Sequence, residues 1–524
     1  MNSSVISPRL GTRPIRVSIA LITAALLASG CSVKPTPLTQ DETLTRIRAD
    51  LAVVMAPQEP ISAAITMHDA MARALKYNLD ERVKLMETAV ATRQLDLSHF
   101  DMLPRLVAGA GYTGRSNEAG SESLNLATGR RTGESTTATD RHRRTADLGF
   151  TWNILDFGVS YIRAHQNANL VLIAEERRRR VVQGILQDVR TAYWRAVAAE
   201  RMLTRLAPLE QRISDARRNA TAMEEQRVQA PLQTLSYQRS LVDTLRQLQT
   251  LRRELVAAKS QLGALMGLPP GQDFTLAIPA DGAPTDIPTI ETNVEALETY
   301  ALMNRPELLE ESYNSRITAD ETKRALLKLL PGIDLNAGLH YDSNSFQLNQ
   351  RWADYGARVS WNLLSLASIG ETRDYTKAQE ELVAIRRQAL SIAVLSQVRV
   401  SMVQFRELSA EYALNVDQAG IEQRIREQYV NSGTAGQQGE MEVIQAEVSA
   451  LVSDLRRDLV YADLQNAYAR VMVSAGVDPL PETVTSQDLP SLSQAVASGL
   501  NAWQARAGAA AKLSDVTQAA ASGS

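Results

Sequence analysis

The sequence predicts a mainly helical chain that also carries short membrane-spanning β-strands, and three observations point there. The chain is written twice over most of its 524 residues. Each copy holds two runs of about ten residues, the length a tilted strand needs to cross a bilayer's hydrocarbon core. Each copy also holds helical segments much longer than a compact α/β enzyme uses. Composition agrees with the last point, since aromatics are only 5% while Ala, Leu, Gln and Arg abound.

The repeat is direct. LGFTWNILDFG at 148–158 is answered by ARVSWNLLSLA at 357–367, which sets Trp152-Asn153 against Trp361-Asn362 at an offset of 209. The same offset aligns Val189-Arg190 with Val398-Arg399 and Met266-Gly267 with Ala475-Gly476. Upstream the offset becomes 227, matching Ala74-Leu75 with Ala301-Leu302 and Leu103-Pro104 with Leu330-Pro331. The 18-residue change falls in a loop that is longer in the first copy.

The elements follow in chain order. Arg9, Arg13 and Arg16 precede VSIALITAALL, an apolar stretch too short to span a membrane permanently, so 1–30 reads as a signal peptide. A linker at 31–61 leads into the first repeat, 62–290. It opens with one helix near 63–100, then strands at about 104–114 and 146–156 around a polar loop. A helix over about 157–225 follows; Val182, Ile185, Val189, Ala192, Ala196, Ala199, Leu203 and Leu206 form its heptad seam. It returns through 232–267, with Leu241, Leu245, Leu248, Leu255 and Leu262 in register, to the stop LMGLPPG. A Pro/Gly/Asp-rich linker runs to about 290. The second repeat, 291–480, has a helix near 292–328, strands at about 332–342 and 355–365, and the same long and return helices. Val448, Val452, Leu455, Leu459 and Ala462 form its seam. The segment 481–524 is rich in Ala, Ser and Gln and reads as a low-complexity tail with room for one helix at 497–506.

Several function classes are excluded by residue type and spacing. A formal charge of −3 argues against nucleic acid as a main partner. Gly109, Gly111 and Gly114 in AGAGYTG fit G-x-G-x-x-G, yet a polar run without apolar period follows where a dinucleotide site needs a helix. The run therefore reads as a strand whose small side chains let backbones approach. His68, His99, His142, His165 and His340 show no i, i+4 spacing, so no metal site is expected. There is no Walker loop and no Ser/His/Asp set, so neither an enzyme nor a cofactor is expected. RRRR at 177–180 follows Glu175 and Glu176, which predicts ion pairs on a solvated helix face.

Two resemblances add to this reading. LLASGCS resembles a bacterial lipobox, with Gly30 before Cys31, the only cysteine, as the acylated lipid anchor. Ala28 stands where that motif has Leu. Ser32, rather than Asp, resembles lipoproteins sorted to the outer membrane. The repeat itself looks like the TolC-type outer-membrane efflux family over roughly 62–480. ALKYNLDE and ALMNRPEL, WNILDFG, LMGLPPG and YVNSGTAG…EVIQAE carry the likeness. The resemblance implies a homotrimer in which three chains give four strands each to one barrel, continued by a periplasmic coiled-coil tunnel. It also implies an adaptor protein and an inner-membrane pump as partners, with outer-membrane lipid around the barrel.

The family's inner aperture is carried over residue by residue. Its pattern is Tyr, Gly three places on, then an acidic-Val-Leu-x-Ala turn. Tyr429 fits, Gly433 falls one place late, and Glu442 opens the turn EVIQA. Gln445 stands where a second acid is expected, and GTAGQQGE lengthens the tip by about four residues. The function implied is a passive exit duct for small-molecule efflux. The G-P-x-Y-x-x-P segment common after the cysteine of drug-efflux lipoproteins is replaced by CSVKPTPLTQD, which keeps type I polypeptide secretion as an alternative. A periplasmic coiled-coil scaffold without a pore is the remote one.

Overall fold

The computed structural model describes residues 35–56, 58–131, 133–226, 231–278, 287–434, 439–478 and 488–522. The expected signal peptide and Cys31 lie outside them. The chain divides into two units, Met1–Pro60 and Ile61–Ser524. In the first, helix α1 (Gln40–Val54) starts at a capping box: Glu42 N–H donates to Thr39 Oγ1 at 3.2 Å, and Thr39 N–H donates back to Glu42 at 2.8 Å. All elements below belong to the second unit.

The first copy contains α2 (Met67–Tyr77), α3 (Leu79–Phe100), β1 (Arg105–Gly114), β2 (His142–Asn153), α4 (Ile154–Glu225) and α5 (Pro231–Leu265). The second contains α6 (Val294–Asn304), α7 (Pro306–Leu327), β3 (Gly332–Asp342), β4 (Arg351–Ser360), α8 (Ile369–Thr434) and α9 (Glu440–Ser474). Shifting α2 and α3 by 227 reproduces the ends of α6 and α7, and shifting α5 by 209 reproduces those of α9. The repeat is therefore one of structure as well as of sequence. With 72 residues, α4 extends about 108 Å.

The opening helix of each copy, expected as continuous, is two helices. The break falls at Asn78 and at Arg305, which share nearly the same extended backbone, φ −66°, ψ 128° and φ −63°, ψ 124°. Asn78 Oδ1 accepts from Asp80 N–H at 2.9 Å and so caps α3. Arg305 precedes Pro306, whose ring disfavours helical geometry in the residue before it. The stop glycines press on these breaks. Gly267 (φ +70°) and Gly476 (φ +74°) lie so close that a Cβ would sit 2.8 Å from Tyr77 O and from Arg305 N respectively.

The second strand of each pair is displaced toward the N-terminus from its expected span, ending at Asn153 instead of 156 and at Ser360 instead of 365. Side-chain capping decides this. Asn153 Oδ1 accepts from Asp156 N–H at 2.9 Å, which starts α4 at once. Asn362 Oδ1 accepts from Leu364 N–H at 3.2 Å and starts a 3₁₀ turn, Leu363–Ser368, ahead of α8.

The four strands form one antiparallel sheet in the order β1-β2-β3-β4. Arg105 lies opposite Thr151, Thr151 opposite Asn336, and Gly332 opposite Ser360. The middle ladder thus joins the two copies, and β1 and β4 are the free edges. The helices pack in two matching orders, α3-α4-α7-α8 nearer the sheet and α5-α4-α9-α8 toward the hairpin tips. Along the second order Leu241, Leu248 and Leu255 interlock with Leu206, Ile213, Ile444 and Leu455.

The expected tail is a helix, α10 (Leu489–Ser522), packed on α2 and α6. Leu492, Val496, Trp503 and Ala507 are buried. Spaced by four, seven and four, they form one narrow stripe, enough to dock a helix whose composition otherwise reads as featureless. The arginine run also differs from expectation. Arg178 and Arg179 reach Glu175 and Glu176 at i+3, and then also Glu81 of α3 and Asp478, while Arg177 meets Glu310 of α7. The run therefore clamps three segments onto α4 through Arg177, Arg178 and Arg179, while Arg177 and Arg180 keep about half of their side chains exposed.

Candidate functional site

Alternation along the strands sorts the sheet into two faces of opposite chemistry. One row reads Leu106, Phe150, Ala337, Tyr355 across the four strands, and the next reads Ala108, Leu148, Leu339, Ala353. Nothing among the described residues covers this apolar face: Tyr355 is 91% and Leu339 59% exposed. A water-soluble sheet turns such a face to its core, so an uncovered one suits lipid.

The opposite face is polar. His340 lies between two carboxylates, with Nδ1 2.8 Å from Asp147 and Nε2 3.2 Å from Asp354, and its ring stacks on Trp352 at 5.1 Å. Gly338 makes the room, since a Cβ there would run into the imidazole. Arg143 pairs with Asp342 at 3.0 Å, and Asn153 Nδ2 donates to Asp334 at 2.6 Å. AGAGYTG lies in β1, with Gly109 and Gly111 on this polar face opposite Asp147 and Thr145. These glycines face side chains across a ladder and open no helix. Among the described residues no group of three His, Cys, Asp or Glu could hold a metal ion.

The aperture candidates lie at the other end, on the last turns of α8 and the first of α9. Gly433 brings the two helices together, because a Cβ there would stand 2.8 Å from Val443 Cγ2. Tyr429 is half-buried on α8, while Glu442 and Gln445 are exposed on α9. Residues 435–438, within the lengthened tip, are outside the described set.

The structure adds groups that sequence reasoning missed. Tyr237 of α5 stands near the same acids: burial pushes its hydroxyl up, and Glu440 and Glu442 push it further. Behind the tip, α4 and α9 share a ladder of ion pairs. Arg195 meets Asp463, Arg201 meets Asp458, Arg205 meets Asp454 and Arg212 meets Glu447, all within 2.9 Å. Burial pushes the Asp458 carboxyl up even with Arg457 and Arg201 beside it. The available signal was a row of arginines in α4 matched by acids in α9, but only the packed register shows that they meet.

No family model and no curated protein matches the chain. Solved structures do. CusC, described for its transmembrane channel formation, shares 15% identity at a TM-score of 0.59, covering 81% of this chain and 96% of its own. The CmeC outer membrane channel of Campylobacter jejuni shares 14% at 0.60, covering 85% and 93%. The MtrE outer membrane channel of Neisseria gonorrhoeae, in its open state, shares 15% at 0.59, covering 80% and 96%. At these identities the likeness is one of fold, and this chain has the fold of these outer-membrane channels. The single-chain part of the fold implied by the TolC-type resemblance, long paired helices with four strands, is the one observed.

Proposed function

We propose that the chain is the passive exit duct of a tripartite export system. Three copies close a twelve-stranded barrel in the outer membrane and continue it as a helical tube across the periplasm. The duct takes small molecules from an inner-membrane pump through a periplasmic adaptor. The observation that carries this reading is the two-faced sheet. Four strands with a lipid-suited outside, a polar inside and two free edges are a third of a barrel, which needs like edges from neighbours to close. The protein performs no chemistry in this role; it keeps a water-filled path through two barriers. Cys31 would tether the N-terminus through acyl chains, and Tyr429, Gly433, Glu442 and Gln445 would line the end that closes when no pump is docked.

Purified protein should migrate as a heat-sensitive trimer and give discrete conductance steps in planar bilayers. A monomer without conductance would sink the reading and favour a scaffold. Cys31→Ala should abolish labelling by a fatty-acid analogue while the barrel still inserts.

A further inference from the structure

The repeat encodes how a second copy joins the first. The two offsets can be tested inside the chain: applied to Arg105 opposite Thr151, they give Gly332 opposite Ser360, the register observed between β3 and β4. The β2–β3 ladder, which joins copy to copy, has its counterpart in β4 and β1, the two free edges. Applied to Thr151 opposite Asn336, the same offsets give Ser360 opposite Gly109. We infer that β4 of one chain pairs with β1 of a second copy in this register, and that α8 of the first lies on α3 of the second with Asp374 facing Arg93. The inference rests on the duct reading and sets its contacts residue by residue; the polar bore is incomplete without the second copy.

The chemistry of the matched positions agrees with this pairing. Ser360 and Gly109 both lie on the polar face, and Tyr112 falls opposite Ala357, both on the apolar face. In the helices, His165 of α4 meets Asp320 of α7 at 2.6 Å. The counterpart positions are Asp374 and Arg93, a carboxylate and a guanidinium, with the acid now on the first helix instead of the second. Gln166 donates to Ile317 O at 3.2 Å, and the counterparts are Tyr375 and Val90, two apolar side chains 62% and 68% exposed in the single chain.

The same operation shows that the two seams of the tube are unlike. Within a chain, Arg205 meets Asp454 across α4 and α9. Between chains the counterparts are Leu414, 70% exposed on α8, and Leu245 of α5. An ionic rung set against an apolar one would leave a charge buried and unpaired, which is strongly disfavoured. The ladder therefore makes α9 zip to α4 of its own chain and leaves α8 to meet α5 of the next, so the ring closes in one phase.

The test is disulfide trapping in the full-length chain. Gly109→Cys with Ser360→Cys should give a covalent trimer on a boiled, non-reducing gel after mild oxidation, and neither single variant should. A Cβ at Gly109 makes only ordinary contact with Asp147, so the strand tolerates it. Thr113→Cys with Ser360→Cys, four residues or about 14 Å out of register, should stay monomeric. An unheated trimer that traps only the second pair, or neither, overturns the register. A chain that forms no trimer at all overturns the duct reading with it. For the helices, Arg93→Asp and Asp374→Arg should each lower the temperature at which the trimer dissociates, and together restore it. Two silent single variants, or no restoration, would remove the α8–α3 contact.

Discussion

Arg201 of α4 donates to Asp458 of α9 at 2.6 Å, and that carboxylate is only 2% exposed. Arg457 reaches it from its own helix at 2.9 Å, while neighbouring Asp454 accepts from Gln423 of α8 at 2.6 Å. Two hairpins from different copies are thereby locked in one register by buried charge. Coulombic attraction barely offsets the desolvation of such groups, so they matter most when one partner is lost.

Asp458→Ala should therefore cost about 3–5 kcal/mol, because Arg201 is left buried without its acid and Arg457 keeps only Asp454. Arg212→Ala, on a rung nearer solvent, should cost only about 0–1 kcal/mol. Thermal unfolding of the detergent-solubilised protein compares them; equal shifts would mean that burial does not rank the rungs.

Gly267→Ala and Gly476→Ala should each cost more than about 1 kcal/mol, since a side chain is strained at positive φ and meets backbone at 2.8 Å. Gly184→Ala, inside α4 with open space around it, should be neutral or stabilising. Melting temperatures of the three variants settle the point. Tolerance at 267 and 476 would show that the helix breaks at Asn78 and Arg305 are free to move away.

Trp503→Ala should release α10, at a cost of about 3–5 kcal/mol, because the indole is buried and donates to Tyr468 Oη at 3.0 Å. Trp503→Phe keeps most of the packing and should lose about 1 kcal/mol with the hydrogen bond. Limited proteolysis within 489–522 is the readout. Equal protection of all three chains would mean the helix is held elsewhere.

Tyr429→Phe combined with Glu442→Ala should raise the resting conductance of the trimer in planar bilayers and weaken block by divalent cations. Threefold symmetry would set one exposed acid per chain into a ring of three, and close like charges favour cation binding. Glu122→Ala, in the loop after β1, is the control and should change neither. Conductance and block matching the wild type would move the aperture to the lengthened tip.

The helix-strand-helix order was legible because its signals are local. Leu241, Leu248, Leu255 and Leu262 recur every seven residues, and all four are buried. The breaks at Asn78 and Arg305 were less legible, because one caps with a side chain and the other depends on the proline after it. α10 was legible only in part, as a helix at 497–506, since Leu492, Val496, Trp503 and Ala507 are sparse, and their stripe has meaning only against α2 and α6.

By itself the sequence determined the twofold internal repeat, the strand lengths, the heptad seams and the strand that holds Gly109, Gly111 and Gly114. Each depends on periods of two, three and a half or a few hundred residues, which read directly along the chain. Tertiary structure decided the rest. It showed that the middle ladder joins copy to copy, that the arginines at 177–180 clamp three segments, and that Arg201 finds Asp458 across 257 positions. It also put Leu339 and Tyr355 on an uncovered apolar face, with His340 behind them between Asp147 and Asp354. Such pairings depend on register between distant segments, and register follows from packing the whole set of helices and strands at once.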